Sequence, residues 1–253
     1  MIIDVHTHLL TNPFSVKEVE EVLDGADRFG IKKLCVASLG PGCYYPTKLI
    51  HEPTQEQCAS FNADLFEIMK LYPDRIWGWA YINPAYPGAV DEVKRGIEEY
   101  GMIGVKMWTG TKCNDPRFFP VVEEAIKYGV PILQHTWDKV TGYFPNESRS
   151  FDVADLAEKY PEVKIVMAHN ERAVLKVKHC PNVFMDTASP IAELGMIEKA
   201  VDHIGVDRLV FGSDCIGVDF ASTIGKIIGS DLPEDDKSKI LGENFLRILG
   251  RDQ

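Results

Sequence analysis

The segment IIDVHTHL, residues 2–9, decides the fold and contains the first candidate site residues. It begins as an apolar, β-branched run typical of a buried strand, yet it carries His6 and His8 one residue apart. Side chains at positions i and i+2 of a strand lie on one face, and a buried imidazole without a partner is strongly destabilising. A divalent metal can satisfy both rings, because neutral imidazole binds zinc and related ions. The alternative is two exposed histidines in a loop just past the strand.

Seven further β-rich apolar runs follow this first strand, which we predict over residues 2–6. They span residues 33–38, 76–82, 103–108, 130–135, 163–169, 182–187 and 207–213. Several are almost wholly apolar, as expected for parallel strands that are covered on both faces. Eight β/α repeats predict an α/β fold, a single (β/α)8 TIM barrel over residues 1–253. A doubly wound open sheet is the alternative, but no glycine-rich phosphate-binding motif follows the first strand.

Helix start signals lie between the predicted strands. Ser15 and Thr54 each open a capping box, with an acidic or amide residue three positions later. Asp115 precedes a proline at the first helical position, and Ser189 does the same after the seventh strand. Each signal therefore predicts a helix that connects one strand to the next.

The composition is that of an ordinary globular protein, with 45% hydrophobic and 26% charged residues and a net charge of -11. The acidic excess argues against nucleic-acid or membrane partners, because both need basic patches. No apolar run is long enough to cross a bilayer, residues 1–10 lack the features of a signal peptide, and the six cysteines show no paired spacing. We therefore expect a cytoplasmic protein with free thiols that acts on a small molecule. A homo-oligomer is compatible with the sequence.

Titratable residues recur at the carboxyl ends of the predicted strands, the end that we call the barrel mouth. His135 ends VPILQH, His169 ends KIVMAH, and Asp214 follows RLVFGS. The active sites of (β/α)8 barrels lie at this end. Three or four nitrogen and oxygen ligands from separate strands, with one position open, form a catalytic metal site. We therefore predict one divalent metal there, with zinc as the default and manganese or cobalt as alternatives.

Lys106 lies inside the predicted strand IGVKMW, where a buried ammonium group needs a partner. An ion pair with Asp4 or Asp186 is the simpler interpretation and leaves one metal at the site. The alternative is a lysine that carbon dioxide has carboxylated and that bridges two metals. We expect the unmodified lysine.

Aromatic and basic residues follow the predicted strands and are candidates for substrate contact. Among them are Trp108, Trp137 and Arg172. Aromatic side chains line small-molecule pockets, and an arginine binds a carboxylate with two parallel hydrogen bonds. Each of these residues can also be explained by packing at the barrel rim or by a solvated charge.

Five motifs together resemble the amidohydrolase superfamily. They are DVHTHL (4–9), ILQHT (132–136), VMAHN (166–170), FGSD (211–214) and GENFLRILG (242–250). The chain is most similar to the amidohydrolase-related branch, which includes enzymes like aminocarboxymuconate semialdehyde decarboxylase, resorcylate decarboxylases and lactone hydrolases. The resemblance covers the whole chain and implies a distorted TIM barrel with a metal at its mouth.

The resemblance also implies roles for individual residues. His6, His8, His135 and Asp214 would be metal ligands, and His169 would be a further ligand or a catalytic acid/base. We expect a hydrolase, in which metal-activated water attacks an ester, lactone or amide and Asp214 or His169 takes the proton. The alternative is a nonoxidative decarboxylase, in which His169 handles the proton at the carbon that loses carbon dioxide. A barrel that binds a metal or ligand without turnover is a third hypothesis.

Overall fold

The computed structural model describes residues 1–9, 13–40, 50, 52–139, 142–169 and 171–251, with only the backbone of residues 171 and 172. Its eight strands pair in chain order, each parallel to the next, and form the (β/α)8 barrel that the sequence predicts. The strands are β1 (Ile2–Leu9), β2 (Ile31–Ser38), β3 (Ile76–Tyr81), β4 (Gly104–Met107), β5 (Ile132–Gln134), β6 (Ile165–Met167), β7 (Val183–Asp186) and β8 (Leu209–Val210).

The segment that follows β8 returns to β1 and brings the two ends of the sheet together. Val5 N donates to Phe211 O at 2.9 Å, and Asp214 N donates to His6 O at 2.7 Å. Thr7 and Cys215 form an isolated parallel bridge. The first and last repeats are therefore neighbours at the barrel mouth.

Helices cover the outside of the sheet. They are α1 (Val16–Arg28), α2 (Gln55–Leu71), α3 (Ala89–Glu98), α4 (Phe119–Tyr128), α5 (Ser150–Lys159), α6 (Met196–Ile204), α7 (Phe220–Ile228), α8 (Glu234–Ser238) and α9 (Asn244–Ile248). A π-helical turn, Lys239–Glu243, joins the last two. Between β6 and β7 the described connection contains a 3-10 helix, Glu171–Val177, instead of an α-helix.

Three of the four helix start signals act as the sequence predicts. Ser15 Oγ accepts from Glu18 N at the start of α1. Thr54 and Gln57 form the reciprocal capping box of α2. Asp115 caps a short 3-10 turn that leads into α4.

The prediction that a helix starts at Ser189 was wrong. Ser189 Oγ accepts from Ile191 N, two residues on, which favours a local turn over a helix start. Lys226 Nζ then donates to the carbonyl oxygen of Ser189 and fixes this segment as a loop. The helix that follows β7 begins only at Met196, after Gly195.

A register shift in β1 explains how the strand can carry both apolar residues and histidines inward. The pairing with β2 shifts between Asp4 and Thr7, so one extra residue enters the strand. Such bulges re-aim side chains and are frequent next to active sites. Val5 consequently packs in the apolar cluster inside the barrel, and His6, the next residue, is also fully buried and contacts the titratable groups at the mouth.

Cys35, Cys58, Cys113, Cys180 and Cys215 are free and buried, and Cys43 lies outside the described residues. No helix in the described part of the chain has both the length and the hydropathy to cross a membrane.

Replacing Gly104 with alanine should destabilise the barrel, because an added Cβ would lie 2.2 Å from Pro131 O and 2.6 Å from the Trp79 ring. We expect the free energy of unfolding to fall by about 1–3 kcal/mol in urea titrations, the usual penalty of overpacking. Gly225→Ala is the control, because no neighbouring atom lies within 4 Å of the added Cβ. That change should be neutral or stabilise α7 by about 0.5–1 kcal/mol. Equal effects of the two substitutions on the free energy of unfolding would show that close packing around Gly104 does not require a glycine there.

Candidate metal centre

Three side chains from the first and last repeats converge at the barrel mouth. His6 and His8 lie within β1 and are buried, instead of in a loop past the strand, and Asp214 follows β8. His6 Nε2 lies 3.1 Å from His8 Nε2. Asp214 Oδ1 lies 3.5 Å from the first nitrogen and 3.3 Å from the second. The structure thus brings together three of the four predicted ligands.

The partners of the other ring nitrogens define the tautomers of both histidines. His6 Nδ1 lies 2.7 Å from Asp186 Oδ2, and His8 Nδ1 lies 2.8 Å from Ala37 O. A carboxylate and a carbonyl oxygen can only accept, so each Nδ1 carries the proton and each Nε2 presents a lone pair. Burial lowers the pKa of both histidines, which favours these neutral forms.

This donor set fits a divalent metal. Two lone pairs and one carboxylate oxygen meet at a single point, and three acceptors at such distances repel one another unless a cation lies between them. Nitrogen ligands ~2.1 Å from a zinc ion are separated by about 3.0–3.4 Å for right-angle to tetrahedral geometry. The observed separation of the two Nε2 atoms, 3.1 Å, falls within that range.

Lys106 is buried at the edge of this cluster, with Nζ 2.9 Å from His6 Nε2. Burial lowers the pKa of Lys106 to about 8, although Asp214 and Asp186 act in the opposite direction. Of the two carboxylates proposed as partners of Lys106, Asp4 instead accepts the backbone N–H groups of His6 and Ser213 with Oδ1, at 3.1 and 3.0 Å, and Asp186 is the one that acts on the lysine. That the lysine carries no carboxyl group stays a prediction.

His169 lies beside the three-residue cluster. Its ring centroid is 4.7 Å from that of His6, and its Nδ1 is 3.9 Å from Asp214 Oδ2. Burial lowers the pKa of His169 to about 4, against the opposing effect of Asp214. His169, His6 and Asp186 also bring potential ligand atoms within 4.8 Å of one another, so a role of His169 as a metal ligand stays open.

The backbone is strained at two of these residues. His169 has φ 60° and Asp214 has φ 56°, in the left-handed region that residues other than glycine rarely adopt. Asp186 Oδ1 accepts from His169 N at 2.9 Å and so helps to hold this conformation. Strain of this kind persists only where the surroundings enforce it, and it is frequent at active sites.

Asp214 is the most acidic group of the cluster. Burial would raise the pKa of its carboxyl, but the neighbouring His169, His8 and Lys106 together lower it to about 2. The carboxylate is therefore ionised at neutral pH, as a metal ligand needs to be.

The fourth predicted ligand, His135, has a different environment. Its Nε2 lies 2.9 Å from Glu147 Oε1, and its ring centroid is 5.1 Å from that of His169. Burial would raise the pKa of Glu147, but hydrogen bonds from His135 and Lys139 lower it. Metal binding by His135 stays a prediction.

Two of the three candidate substrate contacts lie at the mouth. The Trp137 ring stacks on His169, with centroids 5.5 Å apart and an interplanar angle of 25°. Trp108 is buried, and its ring centroid lies 6.4 Å from that of His135. The side chain of Arg172 lies outside the described part of the structure.

The comparisons with known proteins agree with this architecture. The amidohydrolase family profile matches residues 3–251, so the chain belongs to the amidohydrolase family. A curated relative, 2-amino-3-carboxymuconate-6-semialdehyde decarboxylase of Dictyostelium discoideum, is 23% identical over 76% of this chain. The match spans 66% of that relative, slightly less than two thirds of its length.

Solved structures of similar fold include enzymes with two kinds of reaction. Dihydroxybenzoic acid decarboxylase of Polaromonas sp., with bound manganese and an inhibitor, has a TM-score of 0.76 at 16% identity and covers 100% of this chain and 97% of its own. 4-Oxalomesaconate hydratase of Rhodopseudomonas palustris has a TM-score of 0.73 at 18% identity. The match covers 99% of this chain and 96% of the hydratase. At these identities the likeness shows the shared fold alone.

Asp186→Asn should weaken metal binding about 10–100-fold, the usual effect of removing a hydrogen-bond partner of a metal ligand. Asp186 accepts a hydrogen bond from His6 Nδ1 with Oδ2 and one from His169 N with Oδ1. Asparagine has only one acceptor oxygen, so one of the two contacts is lost whichever way the amide turns. The dissociation constant for Zn²⁺, measured by competition with a chelator, tests this. An unchanged constant would show that Asp186 does not orient the ligand.

Proposed function

We propose that this protein is a metal-dependent nonoxidative decarboxylase of a small aromatic or unsaturated carboxylic acid. The observation that carries the proposal is the convergence of His6, His8 and Asp214 next to His169, a titratable group that can remain available for proton transfer. The curated relative is a decarboxylase, which supports decarboxylation over the hydrolysis that we expected from the sequence.

His6, His8 and Asp214 would hold the metal, with His135 as a candidate fourth ligand. A divalent ion in this position supplies Lewis-acid stabilisation of negative charge on substrate oxygens. Zinc, manganese and cobalt all accept two imidazoles and a carboxylate, and bound manganese in the dihydroxybenzoic acid decarboxylase makes manganese a candidate equal to zinc. Elemental analysis of the purified protein distinguishes them.

In this proposal His169 would handle the proton. In the reaction the bond between carbon and carboxylate breaks, its electron pair stays on the carbon, carbon dioxide leaves, and the carbon takes a proton. Burial keeps His169 uncharged at neutral pH, since its pKa is about 4. A neutral histidine can take the proton of an acidic hydroxyl group on the substrate and return it to the carbon. This role for His169 favours hydroxylated acids as substrates.

The aromatic residues at the mouth favour a planar substrate. Trp137 covers His169 with a stacked ring, and Trp108 lies beside His135. Flat aromatic surfaces next to a few polar groups are typical of sites that bind planar organic molecules.

The test is a turnover assay in deuterium oxide with protein loaded with Mn²⁺ or Zn²⁺. The substrates are hydroxybenzoates and unsaturated hydroxy acids, together with lactones and esters of similar size. We expect release of carbon dioxide and incorporation of one deuterium at the carbon that carried the carboxylate. Hydrolysis of the lactones or esters without release of carbon dioxide from any acid would overturn the proposal in favour of a hydrolase.

A further inference from the structure

A buried carboxylate at the barrel mouth has no role in the function proposed above. Glu147 lies in the segment between β5 and α5, twelve positions after His135, and its side chain is fully buried. We propose that Glu147 is a positioning residue that fixes the tautomer of His135, so that His135 can offer only Nδ1 to a metal. This inference rests on the metal-dependent function proposed above.

Contacts other than that with His135 hold the carboxylate in place. Lys139 Nζ lies 2.8 Å from Glu147 Oε1 and 2.9 Å from Oε2, and Phe144 N donates to Oε2 at 3.1 Å. Lys139 is itself enclosed, with Nζ 4.8 Å from the Trp137 ring centroid and 4.2 Å from that of Phe144. The carboxylate is therefore preorganised, and the histidine is the group that it orients.

The backbone on both sides of this segment is also anchored. Trp137 N donates to Ser148 O at 3.1 Å, which joins the two ends of the segment. Ser148 Oγ accepts from Cys113 N at 3.0 Å, so the end of the segment is also hydrogen-bonded to the neighbouring β4–α4 connection. Glu147, next in the chain to Ser148, consequently has little freedom to move away from His135.

The chemistry of the contact determines which nitrogen of His135 carries the proton. A carboxylate only accepts, so the 2.9 Å contact places the proton on Nε2 and leaves the lone pair on Nδ1. A hydrogen-bonded carboxylate behind a metal-binding histidine fixes the ring orientation and makes the imidazole a stronger ligand. His135 and Glu147 form such a pair.

The first measurement reads the tautomer directly, without a metal. In metal-free protein labelled with ¹⁵N-histidine, long-range proton–nitrogen spectra should show His135 with the proton on Nε2, assigned by comparison with His135→Ala. In Glu147→Gln the amide can donate to Nε2, so we expect the population with the proton on Nδ1 to rise. A wild-type His135 with the proton on Nδ1, or an unchanged spectrum in the variant, would overturn the inference.

The second measurement is the dissociation constant for Zn²⁺, by competition with a chelator. Glu147→Gln should weaken binding about 10–100-fold. In a His135→Ala background the same substitution should have no further effect, because Glu147 acts through His135. A further loss in that background would mean that Glu147 contacts the metal itself or acts through the fold, and either result overturns the inference.

Asp152→Asn is the matched control. Asp152 is also a buried carboxylate that pairs with a lysine, Lys112, and accepts a backbone N–H, that of Arg149, but its partners include no predicted ligand. This variant should lose stability and keep the Zn²⁺ affinity of the wild type. Weaker Zn²⁺ binding in it, equal to that in Glu147→Gln, would show a general effect of the fold.

The outcomes separate this inference from the proposed function. A wild-type enzyme that releases carbon dioxide, with a Glu147→Gln variant of unchanged tautomer and Zn²⁺ affinity, refutes only the positioning role. A protein that decarboxylates no acid, but shows the tautomer change and the affinity loss, refutes only the proposed reaction.

Discussion

His169→Ala should keep its bound metal and lose about 10²–10⁴-fold in turnover, the range that a general acid/base contributes. The reason is that His6, His8 and Asp214 already converge on one point without it, whereas His169 lies to the side under Trp137. Metal content of the purified variant and its rate of carbon dioxide release test the two halves of this prediction. Metal content alone can be measured before a substrate is known.

A different result would reassign the roles within the cluster. If His169→Ala loses metal as completely as His6→Ala, then His169 is a ligand. The geometry of His169, His6 and Asp186 permits that arrangement. The proton would then have to pass through Asp214, the remaining titratable group of the cluster that is ionised at neutral pH.

His8→Ala should lose metal and turnover together. The substitution removes one of three acceptors that converge on the metal position, and alanine offers no atom in its place. Of the converging cluster only His6 and Asp214 then remain, and the candidate fourth ligand, His135, lies outside that cluster beside Glu147. We expect no stoichiometric metal after dialysis and no measurable turnover, whereas wild-type protein keeps both.

His203→Ala is the control for loss of a histidine. His203 lies in α6, on the outside of the barrel and away from the predicted ligands. This variant should keep its metal and its rate. A His8→Ala variant that stays loaded and active would show that the three-residue cluster does not bind the catalytic metal.

The number and order of the strands were predictable because a parallel sheet covered on both faces needs strands that are almost wholly apolar. Eight such runs stand out between helical segments, and each overlaps one strand of the structure. The ends of the strands were less predictable. β8 has only two residues, although the apolar run spans 207–213, because the run begins in a 3-10 turn, Val206–Arg208, and the residues after β8 contact β1 through single hydrogen bonds such as those at Phe211 and Asp214.

The length of β1 was underestimated, because pairing with other segments extends it beyond the predicted residues 2–6. Its pairing with β2 continues to Leu9, and a bridge to Cys215 supports it from the other side. The pairing and the bridge both depend on contacts with distant parts of the chain, and the local hydrophobic pattern of the sequence cannot predict such contacts. His6 and His8 are therefore strand residues, although the sequence favoured a strand that ends at His6.

The candidate site was predictable where chemistry coincides with strand ends. His135, His169 and Asp214 each follow an apolar run, and the barrel brings such positions together. Asp186 also ends a strand, β7, and this position was the signal for its role behind His6. Glu147 had no such signal, because it lies in a loop and only tertiary packing brings it to His135.

The placement of the ligands has a consequence for how the protein is made. Almost the whole chain separates His8 from Asp214, and a ribosome synthesises the first long before the second. A nascent chain that stops before β8 presents two histidines and lacks the carboxylate that completes the cluster. Loading of the proposed metal would therefore depend on completed translation, and an ion that binds only the folded chain would then stabilise the seam between the first and last repeats.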